Sequence, residues 1–165
     1  MEVHFLDQFD YTFTADDVMD QLGMPRDHVF RKTVEKAIAA AEDIAKPKAF
    51  FMEAEIEDRT ENTITVAGQT FHSKVLAENL KDQDIIFPFL CTCGMELVDY
   101  CDRLTDIMDQ YAFDCVMEFY LRKASVALTG ELANMENGRQ TSSVNPGSLV
   151  DWPIEEQKEL FALFG

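Results

Sequence analysis

The sequence has few basic residues. Its 165 residues include 14 Lys and Arg against 31 Asp and Glu, which gives a formal net charge of −17. A chain with this charge repels phosphate backbones and anionic lipid surfaces. We therefore expect neither a nucleic acid nor a membrane as a partner, whereas a basic protein or a cationic ligand suits this charge.

Long apolar runs are also missing. No stretch approaches the roughly 20 apolar residues that a membrane-spanning helix needs. The opening residues, MEVHFLDQFDYTF, are acidic and carry no basic segment of the kind that begins a secretion signal. We expect a cytoplasmic protein, in which the four Cys residues are reduced.

The common nucleotide-binding and hydrolase motifs are absent, since the sequence contains no GxGxxG, no P-loop and no GxSxG. The three His residues, His4, His28 and His72, are scattered and have no Glu at metal-ligand spacing. We expect them to be exposed or to cap helices, and we assign no catalytic residue.

Apolar residues make up 47% of the chain, with 13 Phe and 8 Met, which is enough for one substantial core. Helical and strand-like segments alternate without a repeat or a low-complexity linker. The sequence therefore predicts one α+β domain over residues 1–165, with a mixed or antiparallel sheet covered by helices.

Helix signals occur at several places. Thr14 is typical of an N-cap, with Asp17 three residues later, for a helix to about Leu22. Asp27 is predicted to cap a longer helix, HVFRKTVEKAIAAAEDIA, and Ser73 a short one, KVLAENL. A helical stretch from Met95 to about Leu132, in one or two helices, and a last helix from Glu155 to Phe164 complete the set. The apolar stripe of the long stretch is Leu97, Cys101, Leu104, Met108, Ala112, Cys115, Phe119 and Val126.

Strand signals lie between these helices. Residues 49–57 predict one strand, and NTITVAGQTF predicts two strands joined by a turn at Ala67 and Gly68. The apolar run DIIFPFLCT predicts a strand that is buried on both faces, ended by Gly94. Residues 139–146 predict an irregular connection.

The Cys residues allow three interpretations. Cys91 and Cys93 lie about 6–7 Å apart on one side of a strand, so with Cys101 they could hold a metal ion. The N-terminus of the following helix also favours a thiolate at Cys91 or Cys93. Cys101 and Cys115 lie on the apolar stripe and, on one continuous helix, about 21 Å apart, so we expect both to fill the core.

Regularly spaced carboxylates lie at Asp99, Asp102, Asp106 and Asp109. Such a face is usually solvated. The alternative is a surface that docks a basic partner at a rate that falls as salt rises.

Several segments, in a fixed order, resemble the activation domain of vitamin B12-dependent methionine synthase, in particular its small stand-alone versions. They are KPKAFFMEAEIE, VAGQTFHSKVLAENL, DQDIIF with FLCTCG, the long helical stretch, and NPGSLVDWPIEEQKELFALFG. The resemblance runs through most of the chain and is most specific in the last of these segments.

The resemblance implies a mixed α+β fold that binds S-adenosylmethionine. In the family this ligand remethylates a cobalamin that has oxidised to the inactive cob(II) state, once an electron is supplied. The motif DxHxxG, by which many corrinoid proteins hold cobalt through His, is absent, so cobalamin is expected only on a partner protein.

The same resemblance implies a ligand-binding loop at Asn145, Pro146, Gly147 and Ser148. The family loop reads approximately Arg-x-Ser-x-Gly-Tyr, and Gly147 matches its Gly. Ser143 stands at the position of the Arg and Ser148 at that of the Tyr. Arg139 lies four residues further upstream as a substitute anchor for a carboxylate.

We therefore expect a protein that reactivates or handles a corrinoid protein in a cobalamin-dependent methyltransferase system, with S-adenosylmethionine as its ligand. If it is an enzyme, its reaction is methyl transfer to a partner-bound cobalamin. The alternative is a non-catalytic protein whose acidic face docks a methyltransferase or corrinoid subunit. A weaker alternative is a metal or redox module built on Cys91 and Cys93.

Overall fold

A computed structural model describes residues 2–137 and 141–165 of the chain. Their contacts divide the chain into two compact units. The strand unit comprises Met1–His4, Phe50–Leu90 and Arg139–Gly165, and the helical unit comprises Phe5–Ala49 and Cys91–Gly138. The predicted α+β class is confirmed, while the expectation of one domain stays a prediction.

The helices and strands alternate irregularly along the chain. They are β1 (Val3–Leu6), α1 (Ala15–Gln21), α2 (Arg31–Glu42), β2 (Lys48–Met52), β3 (Ala54–Arg59), β4 (Thr63–Val66), β5 (Gln69–His72), α3 (Lys74–Asn79), β6 (Ile85–Ile86), β7 (Phe89–Thr92), α4 (Met95–Cys101), α5 (Ile107–Met135) and α6 (Gln157–Ala162), with a single 3₁₀ turn at Ile154–Glu156 before α6. In the part of the chain described, no helix is both long and apolar enough to cross a membrane.

An antiparallel four-stranded sheet, in the order β5-β4-β3-β6, organises the strand unit. β4 and β5 form the predicted hairpin, whose turn residues Ala67 and Gly68 have φ angles of 49° and 75°. Two positive φ angles give the twist that a two-residue hairpin needs. A second sheet has the order β1-β2-β7.

The core of the strand unit lies between its antiparallel sheet, α3 and the C-terminal residues. Trp152 is 7% exposed, and its ring meets that of Phe71 edge to face, with the ring centroids 6.1 Å apart. Leu160 and Leu163 pack against the same cluster. Its buried members are Ala54, Ile64, Val66, Phe71, Leu76, Ala77 and Trp152.

The core of the helical unit lies between α1, α2, α4 and α5. Phe113 of α5 is fully buried and stacks on Tyr100 of α4, with the ring centroids 4.8 Å apart. Phe13, before α1, stacks on Phe119 and meets Tyr120 edge to face, each with the ring centroids 5.0 Å apart. Cys101 and Cys115 are buried in this core, as predicted.

Two of the predicted helix caps are confirmed. The Thr14 hydroxyl accepts the Asp17 N–H, and the Asp17 carboxylate accepts the Thr14 N–H at 2.7 Å. Ser73 caps α3 by accepting the Leu76 N–H at 2.9 Å. Both caps are local, so the chain spacing alone defines them.

The predicted cap at Asp27 is wrong. α2 begins at Arg31, and Phe30 at its N-cap position makes no side-chain capping bond. Successive turns precede the helix. They are closed by hydrogen bonds from the His28 N–H to the Pro25 carbonyl and from the Arg31 N–H to the His28 carbonyl. Val29 lies in these turns and is 79% exposed, not part of the buried stripe.

Two predicted strands are each divided. Residues 49–57 contribute to both β2 and β3, which belong to different sheets, with the change at Glu53. Pro88 separates β6 from β7 because Pro cannot donate a ladder hydrogen bond. The residues of β6 and β7 are half-buried or exposed, so the prediction of a strand buried on both faces is wrong.

The predicted C-terminal elements are only partly confirmed. The long helical stretch forms two helices, α4 and α5, and two residues of its predicted stripe, Met108 and Val126, are exposed. The last helix is only six residues long, after the 3₁₀ turn. Ile154 and Phe161, apolar residues of this last segment, are 59% and 52% exposed, so neither belongs to the core.

Candidate functional site

The segment NPGS forms a tight turn, which we call the 145–148 turn. The Ser148 N–H donates to the Asn145 carbonyl at 2.9 Å. Gly147, the third residue, has a φ of +87° after Pro146, as in a type II turn. The Ser148 hydroxyl donates to the Asn145 carbonyl at 2.7 Å and accepts the Asn145 N–H at 2.9 Å. The turn is therefore closed by hydrogen bonds among its own residues.

Gly147 is required at this position for two reasons. Its positive φ is unfavourable for other residues, and a Cβ added there would lie 3.3 Å from Cβ of Ile154. Pro146 is buried, whereas Asn145, Gly147 and Ser148 are exposed. The turn thus presents a bare stretch of backbone to solvent beside the exposed Ile154 side chain.

The backbone amides of the turn are used within the fold. The Gly147 N–H donates to the Trp152 carbonyl at 2.8 Å, and the Ser148 N–H donates to Asn145. Neither amide is directed at an anion, so the turn is not a phosphate-binding loop. It is suited to contact a ligand through shape and apolar surface.

Asp151 attaches the turn to the start of α3. Its carboxylate accepts the Ser73 hydroxyl at 2.6 Å, the Lys74 N–H at 2.7 Å and the Val75 N–H at 3.2 Å. These hydrogen bonds, chiefly that from Ser73, lower the pKa of Asp151 below its usual value of 3.8. Asp151 is therefore ionised at neutral pH and satisfies the free amides at the helix start.

Glu156 attaches the following residues to β5. It accepts the His72 N–H at 2.9 Å and the Trp152 indole N–H at 3.0 Å through Oε2, and Oε1 lies 2.9 Å from Nδ1 of His72. The Glu156 side chain is 13% exposed. Sequence reasoning did not identify Glu156, His72 or Asp151, because their contacts join residues more than 70 positions apart.

The structure brings Asn145, Pro146, Gly147 and Ser148 together in one turn. Arg139, the predicted substitute anchor, lies outside the described residues. Ser143, at the position of the family's Arg, is exposed. The Ser148 hydroxyl is engaged within the turn, so neither of these Ser residues supplies the charged anchor of the family motif.

The three His residues have different surroundings. The His4 ring stacks on Phe51 with the centroids 4.8 Å apart, and Nδ1 of His28 accepts the Phe30 N–H at 3.2 Å. His72 is held by Glu156, as described above. The expectation of exposed or capping His residues is confirmed for His28 and for His72, whose side chain is 66% exposed, whereas His4 is half-buried.

The thiols are disfavoured as thiolates. Burial raises the pKa of both Cys91 and Cys93 above the usual value of 9.0, which opposes the thiolate that the following helix was expected to favour. Burial and the nearby Asp114 carboxylate raise the pKa of Cys101 to about 11. Among residues 2–137 and 141–165, no group of three or more His, Cys, Asp or Glu is placed to hold a metal ion.

The predicted acidic face is partly used by the fold. Asp106 caps α5 by accepting the Met108 and Asp109 N–H groups, and Asp109 pairs with Lys36 at 2.5 Å. Asp99 and Asp102 are exposed. Two of the four carboxylates thus have structural roles, and the other two remain open to a partner.

The helical unit contains an open groove of about 310 Å³. Its lining combines apolar residues, among them Phe13 and Ile38, with the charged residues Arg31, Glu35 and Glu42. Arg31 is already paired with Asp16 and Glu35. Of the predicted ligand-binding residues that the structure describes, Asn145, Pro146, Gly147 and Ser148, none lines this groove.

Comparison with protein-family models gave no match to this chain, and comparison with curated proteins gave none either.

Proposed function

We propose that this chain is a small relative of the activation domain of vitamin B12-dependent methionine synthase, which reactivates or handles a corrinoid protein in a cobalamin-dependent methyltransferase system. The 145–148 turn is the observation that supports this most. It is closed by its own hydrogen bonds, exposed and bare of a side chain at Gly147. It also lies where the sequence resemblance places the family's ligand loop.

The attachment of the turn to the fold supports a ligand-binding role. Asp151 and Glu156 fix the chain on both sides of Trp152, so the turn keeps its position without a ligand. A site that is formed in advance loses less conformational entropy on binding. A flexible surface loop would show neither the two carboxylate attachments nor the buried indole.

The proposed ligand is S-adenosylmethionine, which would transfer its methyl group to the partner's cobalt, once an external one-electron donor has reduced cob(II) to cob(I), and leave as S-adenosylhomocysteine. The exposed Ile154 side chain and the bare Gly147 backbone fit an apolar or flat part of such a ligand. The turn has no guanidinium for the ligand's carboxylate. A lost charged hydrogen bond costs roughly 1.5–3 kcal/mol, so we expect weak binding. The residues of this chain would position the ligand, and none acts as a nucleophile.

A calorimetric titration with S-adenosylmethionine tests the ligand. We expect a dissociation constant on the order of 10⁻⁴ M or weaker. Submicromolar binding would show that another residue supplies the missing anchor, and Arg139→Ala would test Arg139 in that role. The absence of binding at millimolar ligand would contradict the ligand-loop proposal.

A second candidate function is docking of a methyltransferase or corrinoid subunit without a small ligand. It is favoured by large apolar side chains that α5 leaves exposed, among them Ile107 at 76%. The open carboxylates of Asp99 and Asp102 lie in the segment just before this helix. This function predicts partner binding in the absence of S-adenosylmethionine.

A further inference from the structure

Three large apolar side chains are exposed near the start of α5. Ile107, Met108 and Tyr111, in its first turns, are 76%, 49% and 44% exposed. Val29, 79% exposed, precedes Phe30, whose ring centroid lies 5.6 Å from that of Tyr111. We call Ile107, Met108 and Tyr111, which lie within the first five residues of α5, the apolar patch.

The core of the helical unit does not include Ile107 and Met108. α5 packs on the core through a different set of residues, which includes Ala112, Phe113 and Val116, all at most 1% exposed. Helix propensity also gives no reason for an apolar residue at the exposed first position of α5, which Ile107 occupies. Apolar side chains grouped on a surface in this way are typical of a protein interface.

The charges around the patch indicate its partner. Asp99, Asp102 and Asp106 occupy the segment that leads into α5, and Arg103 is its only basic residue. Lys36, on the other side, is neutralised by Asp109. The whole chain has a net charge of −17. A second copy of the chain is therefore repelled, and a partner with basic residues around apolar ones is attracted.

We propose that the apolar patch is the docking site of a basic amphipathic helix on a partner protein. Such a helix presents apolar residues at i, i+3, i+4 and i+7 and basic residues at the edges of that stripe. Its apolar residues cover Ile107, Met108 and Tyr111, while its basic residues face the open carboxylates of Asp99 and Asp102. This inference rests on the second candidate function and names the partner's chemistry.

A defined peptide tests the proposal on the full chain. The probe is a fluorescent 14-residue peptide of Leu and Lys, with Leu at helical spacing, followed by anisotropy at two salt concentrations. Ile107→Ser combined with Met108→Ser should weaken binding by about tenfold or more, because apolar anchors dominate such interfaces. Val126→Ser is the matched control, since Val126 is 64% exposed on the same helix. It should change the affinity less than about twofold.

Two further peptides separate specific docking from charge attraction. A scrambled Leu and Lys peptide without helical spacing, and a Leu and Glu peptide with it, should both bind more weakly than the probe. Equal binding of the scrambled peptide, or equal effects of the double variant and Val126→Ser, would overturn the proposal. If the double variant does not fold, hydrogen exchange of the unmodified protein, measured with and without the probe, tests the proposal instead. The probe must slow exchange at residues 107–111, and unchanged exchange there would overturn the proposal.

The failure of this proposal can be told apart from failure of the ligand-loop proposal. The patch residues belong to the helical unit, and the 145–148 turn belongs to the strand unit. The double variant should bind S-adenosylmethionine as the unmodified chain does. Peptide binding and ligand binding are therefore separate readouts.

Discussion

Glu156 binds His72 through both of its carboxylate oxygens, although 84 residues separate the two in sequence. The same carboxylate accepts the indole N–H of Trp152 at 3.0 Å. One largely buried carboxylate thus joins β5, the buried Trp152 and the start of the last helix. The C-terminal segment, residues 141–165, is part of the strand unit and not a free arm.

Replacing Glu156 by Ala should destabilise the protein by about 1.5–3 kcal/mol, because it removes charge-assisted hydrogen bonds and leaves a buried indole N–H unpaired. Chemical denaturation measures this change. Glu155→Ala is the matched control, since Glu155 is exposed and adjacent. It should stay within about 0.5 kcal/mol of the unmodified protein. Equal effects of the two substitutions would contradict the role given to Glu156.

Asp151→Asn should lower stability at neutral pH, and the loss should shrink in acid. The folded-state pKa of Asp151 lies below its usual value of 3.8, so its contribution to stability is present above that pH and is lost as the pH falls through the folded-state pKa. Urea unfolding at pH 7, 5 and 3 measures the difference. If the difference in the free energy of unfolding between Asp151→Asn and the unmodified protein did not change with pH, this account would be contradicted. Asp58→Asn, at an exposed position, serves as the control.

Trp152 should make a large contribution to stability. It is 7% exposed in the core of the strand unit, and truncation of a buried Trp to Ala costs about 3–5 kcal/mol. Its fluorescence should be blue-shifted and poorly quenched by iodide. Deletion of residues 151–165 should leave the chain largely unfolded or aggregated. A soluble deletion variant with an unchanged melting curve would mean that the C-terminal segment does not stabilise the fold.

Local signals in the sequence predicted local structure well. Thr14 with Asp17, Ala67 with Gly68, and Ser73 all do what their spacing indicates, because each motif closes a turn or a helix end within a few residues. The positive φ of Gly147 belongs to the same class. These features depend on backbone geometry that neighbouring residues determine.

Long-range structure was predicted less well. No spacing rule connects Glu156 to His72 or Asp151 to Ser73, since the fold alone brings them together. Helical periodicity also placed Val126 in the core, yet it is 64% exposed, because the tertiary packing of α5 determines which side is buried. Nothing in the apolar run around Pro88 indicated that its two halves, β6 and β7, belong to different sheets.

The four thiols should differ in reactivity. Cys101 and Cys115 are buried, and the pKa of Cys101 is raised to about 11, whereas Cys91 and Cys93 are half-buried. Alkylation of the native protein, followed by peptide mapping, should therefore modify Cys91 or Cys93 first. Faster modification of Cys115 would show that the α5 packing described here is wrong.

The most direct test of the central claim is a calorimetric titration of S-adenosylmethionine into two Gly variants. Gly147→Ala places a Cβ against Ile154 and distorts the 145–148 turn, whereas Gly68→Ala, at a similar φ of +75°, meets nothing within 4 Å. Both substitutions place an Ala at a positive φ, so the two variants carry a similar backbone strain. If the turn is the ligand loop, Gly147→Ala should weaken binding by about tenfold or more, which corresponds to about 1.4 kcal/mol, and Gly68→Ala should leave it unchanged. Equal binding by both variants would contradict the claim.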